Sequence, residues 1–255
     1  MSQFAGKGTA LSTGGLEEAA QTAKLGLPEI WSVLSVETSG CGFMPDRRPK
    51  LLFERHLFHH FTEGRFDNID PDISQPTAGG YGLGGAHQYD RLAAAMRLAS
   101  DAALQSASWG MGQIMGENFK PAGFDKVEDM VAAMVGSEDG QLLAVAKFML
   151  AHDMTEPLAN HDWAGFARRY NGPNYAEKNY DEKLHHFHQR YADGALPDLQ
   201  VRAAQIYLGY KGFGHLAVDG VVGPSTVAAI RRFQQSIGAA ETGAVDNGLI
   251  TQLLA

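Results

Sequence analysis

Apolar positions recur at helical spacing over most of the first 190 residues, and the pattern predicts helices near 14–25, 28–38, 89–105, 126–135, 138–153, 161–170 and 174–192. Between residues 45 and 88 the pattern changes. The run Lys50 to His56 alternates like a strand, His56 to Gly64 reads as a short helix, and Asp67 to Gly85 is a loop rich in Asp, Pro and Gly. A mainly α domain with one small loop and β insertion fits these signals, and such insertions often build one wall of a cleft. The punctuation Tyr191-Ala-Asp-Gly-Ala-Leu-Pro-Asp198 then separates this stretch from a second helical pattern. There, 199–209, 226–234 and 248–254 read as helices joined by turns at Val218–Pro224 and Gly238–Asn247, a three-helix bundle in miniature. The expected division is a domain over 1–194 and a second over 195–255.

One polar residue stands out against this pattern. Ile30, Val33, Leu34 and Glu37 follow the i, i+3, i+4, i+7 spacing of a single helical face, and the chain breaks immediately afterwards at Thr38-Ser-Gly-Cys-Gly-Phe43. A carboxyl group on an apolar stripe loses hydration, which disfavours its charged form and suits it to donate a proton near neutrality. The competing role for Glu37 is that of an ordinary solvated or salt-bridged helix-end residue.

Composition narrows the class. The chain has 255 residues, 44% hydrophobic and 20% charged, as in ordinary globular proteins. It holds no apolar run of the ~18–20 residues that a membrane span needs, and Met1 to Gly15 lacks the basic start and apolar stretch of a signal peptide. The expectation is synthesis in the cytoplasm without membrane insertion. The net charge is −8; from Asp198 onward there are four residues of each sign, so the excess of acid lies before it, 17 against 25. An acidic body gains nothing from steering toward nucleic acid or other polyanions, so affinity for such a polymer requires a dedicated module.

Cys41, the single cysteine, reads as structural. The ten histidines include His56 and His60 at i, i+4 and the group His185, His186 and His188, but there is no HExxH and no cysteine pair. The 185–188 group reads as a solvated face, and neither a metal nor another cofactor is expected. Gly80-Tyr-Gly-Leu-Gly-Gly85 has the spacing of a nucleotide loop but follows no strand, so a cleft loop is the better reading.

The stretch Leu199 to Ala255, with Val218-Asp-Gly-Val-Val-Gly-Pro-Ser-Thr226 and Ala229-Ile-Arg-Arg-Phe-Gln-Gln235, closely resembles the peptidoglycan-binding domain of bacterial and phage cell-wall enzymes. The first part resembles the N-acetylmuramidase domain of modular phage endolysins, within the lysozyme-like group. Three segments carry that likeness in order: Val36-Glu-Thr-Ser-Gly40, Ser108-Trp-Gly-Met-Gly-Gln-Ile-Met115 and Arg169-Tyr-Asn-Gly172. Gly112 departs from lytic transglycosylases, which usually carry Met there.

The resemblance implies a lysozyme-like fold and cleavage of the β-1,4 bond between N-acetylmuramic acid and N-acetylglucosamine, with Glu37 as general acid. It also puts Ser108, Trp109, Gln113, Tyr170 and Asn171 in the cleft, where Gln113, Tyr170 and Asn171 can hydrogen-bond glycan groups and Trp109, Tyr81 and Tyr89 can stack on sugars. For a second carboxylate the candidates are Glu54, Asp46, Asp67, Asp70, Asp72 and Asp90. Glu54 leads, because alternation puts it on one face with Leu52 and His56; a salt bridge to a neighbouring arginine is its competing role. The expected partner is peptidoglycan, acted on in the periplasm by a monomer admitted through a pore-forming holin. The alternatives are a lytic transglycosylase and a non-catalytic wall-binding phage structural protein.

Overall fold

The computed structural model describes residues 4–37 and 40–255, with Glu37 described through its backbone. The first two helices are α1 (Thr13–Ala23) and α2 (Leu27–Glu37), followed by β1 (Leu51–Phe53) and α3 (Arg55–Phe61). Next come α4 (His87–Leu98), α5 (Ser100–Gln105), β2 (Ala107–Trp109) and β3 (Ile114–Met115). The body is completed by α6 (Val127–Gly136), α7 (Glu138–Ala151), α8 (Thr155–Ala159), α9 (Trp163–Asn171) and α10 (Tyr180–Asp193). The tail holds α11 (Leu199–Tyr210), α12 (Pro224–Ser236) and α13 (Asn247–Leu254).

Helix starts follow local chemistry. Ser12, Ser137, Asp162, Asp198 and Asp246 each accept a hydrogen bond from a backbone N–H in the first turn of the following helix, and Pro224 opens α12 where its missing N–H costs nothing. In the body α1 packs on α7, and α2 packs on α10. Ile30, Trp31, Val33 and Leu34 of α2 are buried, so the stripe that leads to Glu37 does face the core.

The structure departs from the expected elements in the middle of the body. The single helix expected over 89–105 breaks at Ala99, whose extended backbone (φ −156°, ψ 97°) separates α4 from α5. The bend brings Leu104 to the following hairpin, where its carbonyl accepts the Trp109 indole N–H at 3.1 Å. The segment read only as a cleft motif is that hairpin. The sheet runs β1–β2–β3, antiparallel throughout, with Leu52 opposite Ser108 and Ser108 opposite Met115. Strands of two and three residues are too short to show an alternation. No described helix is long and apolar enough to cross a membrane.

Two apolar clusters form the interior. The larger runs from Leu11 to Tyr191; the smaller joins Ala204, Leu208, Ile230, Phe233, Leu249 and Leu253 of the tail with Ala10. A buried ion pair crosses between them. Arg202 of α11 binds both carboxylate oxygens of Glu138 at the start of α7, and its Nη2 donates to the Gly40 carbonyl at 2.7 Å. Glu138 accepts in addition from the backbone N–H groups of Leu11 (2.9 Å) and Gly42 (2.8 Å). Every oxygen of this fully buried carboxylate is thereby satisfied, the condition for keeping a charge inside a protein.

Candidate active site

The side chain of Glu37 lies outside the described residues, but its backbone ends α2, and the chain is tied down again from Gly40 onward. Gly42 N–H binds Glu138, the Lys50 N–H donates to the Gly42 carbonyl at 2.8 Å, and the Gly110 N–H donates to the Lys50 carbonyl at 2.9 Å. The segment around Gly42 is therefore laced to β1 and to the 108–115 hairpin. A cleft of about 460 Å³ lies here, lined by Lys50, Leu52, Gln88, Gly110, Met111 and Gln113 among others.

The turn of the hairpin is unusual. Gln113 has φ +48°, the left-handed region that non-glycine residues seldom occupy, and such backbones concentrate at functional sites. Its amide is fully engaged: Nε2 donates to the Gly110 carbonyl at 2.9 Å and to the Lys50 carbonyl at 3.3 Å, while Oε1 accepts from Ser108 Oγ at 2.9 Å. Ser108 and Gln113 are thus brought together, and they brace the cleft floor. Gly112 is dictated by packing. A Cβ there would stand 2.3 Å from Val145 Cγ2 and 3.3 Å from the Tyr170 oxygen, so a methionine has no room at this turn. Tyr170 Oη donates to the Gly112 carbonyl at 3.1 Å, joining α9 to the hairpin, and Asn171 follows it as the last residue of α9.

Two expected sugar-stacking rings turn inward instead. Trp109 is fully buried in the core, and Tyr89 is buried against it with its hydroxyl donating to the Pro49 carbonyl at 2.9 Å. Burial pushes the Tyr89 phenol up, so it stays a neutral donor. The Trp109 ring of β2 and the Tyr89 ring of α4 pack edge to face in the core beneath the sheet, centroids 6.4 Å apart. Tyr81 differs: it is 40% exposed.

Glu54 caps the N-terminus of α3, directly after β1, and its side chain is 14% exposed. Its Oε2 lies 3.2 Å from His56 Nδ1, yet neither of these buried atoms has a hydrogen-bond partner, and the Tyr81 hydroxyl lies close to the same carboxylate. The Tyr81 hydroxyl is pushed up by burial and by the negative charge of Glu54. Among the described residues no ion pair joins Glu54 to an arginine, although Arg91 feels its charge. The glycine-rich loop closes over it: Gln88 Nε2 donates to the carbonyls of Tyr81 (2.6 Å) and Leu83 (2.7 Å), while its Oε1 accepts from the Phe53 N–H at 3.0 Å. Gln88, which sequence reasoning overlooked, is the joint between loop and sheet. Its polar character inside the apolar face of α4 was the available signal.

The remaining carboxylates are engaged elsewhere. Asp46 pairs with Arg48, and Asp90 is exposed beside His87. Hydrogen bonds from Ser74, then from His59, hold the Asp67 carboxyl below its ordinary value. The histidine group near 185 divides: His185 and His186 are exposed as expected, but His188 turns inward to Glu29.

Residues 26–192 match the N-acetylmuramidase family, and residues 197–253 match the peptidoglycan-binding domain family. The protein belongs to the N-acetylmuramidase family, a group of glycoside hydrolases, and it carries a peptidoglycan-binding domain at its C-terminal end. It is similar to the crystal structure of the endolysin of the Burkholderia phage AP3, at 38% sequence identity and a TM-score of 0.68, over 72% of this chain and 71% of that one. No curated protein matches the chain.

Proposed function

We propose that the protein is a phage endolysin that hydrolyses the β-1,4 bond between N-acetylmuramic acid and N-acetylglucosamine, with Glu37 as general acid and Glu54 as the second carboxylate. The observation that carries this reading is the family membership of residues 26–192 joined to a wall-binding tail. Family and neighbour favour hydrolysis over transglycosylation and over a purely adhesive role. Glu37 gives its proton to the bridging oxygen as the C1–O bond of the muramyl residue breaks. Glu54 orients the water that adds to C1, or stabilises the positive charge growing there. His56 and Tyr81 flank Glu54, and the burial of its Oε2 without a hydrogen-bond partner supports a carboxylate left available to act on substrate or water. Ser108, Gln113 and Tyr170 shape the floor, with Asn171 beside it facing the glycan. The tail raises the local concentration of substrate without entering the chemistry.

In the same reading the enzyme is a monomer, made in the host cytoplasm and admitted to the periplasmic wall by a holin, a route supported by the phage origin of the neighbour. The test is mass spectrometry of fragments released from purified Gram-negative peptidoglycan by wild type, Glu37→Gln and Glu54→Gln. Wild type is expected to leave reducing muramic ends, and Glu37→Gln to lose about 10²–10⁴-fold in rate, the usual contribution of a positioned acid. Anhydro-muramic ends from wild type would overturn hydrolysis, and full activity in Glu37→Gln would overturn the acid assignment.

A further inference from the structure

We propose that Glu29, His161 and His188 form a binding site for one divalent transition-metal ion of the zinc class, at the opposite end of α2 from the proposed acid Glu37. The three residues come from the start of α2, the segment before α9 and the middle of α10. Both imidazoles direct Nε2 at one oxygen of Glu29, His161 at 3.0 Å and His188 at 2.8 Å, and all three donor atoms lie within 4.8 Å of one another.

Tetrahedral zinc with bonds of about 2.0–2.2 Å sets neighbouring donor atoms about 3.3 Å apart, so a shift of a few tenths of an ångström opens the place for the ion. Two histidines and one carboxylate supply three protein ligands, and the exposed edge of His161, 48% accessible, leaves the fourth position to water. The surroundings fit as well. The two imidazole centroids are only 4.3 Å apart, so both rings converge on the one carboxylate oxygen. The Trp163 ring stacks on His161 at 5.1 Å and lies 5.0 Å from His188, so one side of the cluster is closed by an apolar wall. An ion here would clamp the N-terminal end of α2 to α10, while the C-terminal end of the same helix carries Glu37.

Two hydrogen bonds to one carboxylate oxygen would give the same contacts without an ion, and titration separates the two. Full-length protein stripped with a chelator is titrated calorimetrically with Zn²⁺ alone and melted with and without it. The expected result is one ion per chain and a melting temperature raised by several degrees, since a ligand of the folded state alone stabilises it. Affinity is expected to fall at least tenfold in Glu29→Gln, His161→Ala and His188→Ala. His161→Ala removes a half-exposed side chain, and its circular dichroism establishes that it folds. Imidazole donors also predict a clear preference for Zn²⁺ over Mg²⁺. The proposal is overturned if wild type shows no saturable Zn²⁺ binding, if the three variants bind as tightly as wild type, or if Mg²⁺ binds equally well.

Discussion

In the tail, buried amides work over short stretches of chain. Gln205 accepts from the backbone N–H of Asp219 and Gly220 and donates to Asp219 Oδ1 and the Val221 carbonyl, all within 16 residues. Gln234 repeats the device nine residues upstream of Gly243, accepting its N–H while donating to Thr242. In the body the corresponding groups span far longer distances: Gln88 reaches Phe53 of β1 across 35 residues, Gln141 reaches Met111 across 30, and Glu138 reaches Gly42 across 96. The tail therefore carries its own polar scaffold, as a portable module must, whereas the cleft exists only when distant segments of the body have already assembled. Residues of the tail join them: Tyr207 and Tyr210 hydrogen-bond Ala10 and Gly8, and the charge of Arg202 is spent inside the body.

The largest expected effect comes from breaking that junction. Arg202→Met leaves Glu138 buried with no cation, and removal of one partner from a buried pair costs about 3–5 kcal/mol. Because Glu138 also holds Leu11 and Gly42, the loss is expected to reach the segment after Glu37 and lower activity together with stability. Denaturant melts followed by tryptophan fluorescence check this: all three tryptophans lie in the body, so a tail that was merely tethered would leave their transition unmoved.

Next in size is Gly112→Ala, which drives a methyl into Val145 and is expected to cost about 1–3 kcal/mol through overpacking. Activity should fall more than stability, because the Tyr170 hydroxyl must let go of the turn that also carries Gln113. Wall binding, measured by co-sedimentation with peptidoglycan, should stay unchanged. Smaller again is Gln234→Ala. It strands the Gly243 N–H and is expected to cost the tail about 1–2 kcal/mol. Here the sign of the test reverses: sedimentation with peptidoglycan weakens, and cleavage of short soluble glycan is retained.

How far these contrasts could be read in the sequence differs between the two regions for the same reason. The tail was legible nearly to its helix ends, since its Asp-Gly and Gly-Pro turns and its apolar spacing are local signals, and its stabilising amides act locally too. In the body the long helices were legible from periodicity, and so was the buried stripe of α2 formed by Ile30, Val33 and Leu34. The break at Ala99 was not, because neither glycine nor proline marks it and its cause is the hairpin that α5 must reach. Nor was the inward turn of Trp109, which depends on the pairing register of strands too short to show one, or that of Tyr89, which follows from the packing of α4 on β1. Gly112 looked like a departure from related enzymes until Val145 and Tyr170 were seen on either side of it. His188 looked solvated until Glu29, 159 residues earlier, was found against it.

Cys41 offers the gentlest probe of the comparison, because it stands where the two regions meet. It is half-buried against the tail's apolar cluster, one residue after the Gly40 carbonyl that Arg202 holds. Burial pushes its thiol up; Lys50 offsets part of that, and the charge of Glu138 adds to it. A raised thiol holds less thiolate at any pH below its titration, and the thiolate is the reactive form. Labelling by a disulfide reagent at pH 8 is therefore expected to be slower in the native protein than in the urea-unfolded chain. It should quicken in Arg202→Met, where the seam loosens, and stay at the wild-type rate in Gln234→Ala, whose damage is confined to the far turn of the tail. Equal acceleration in both variants would mean that the tail moves as one piece against the body, and that its local scaffold and its junction are not separable.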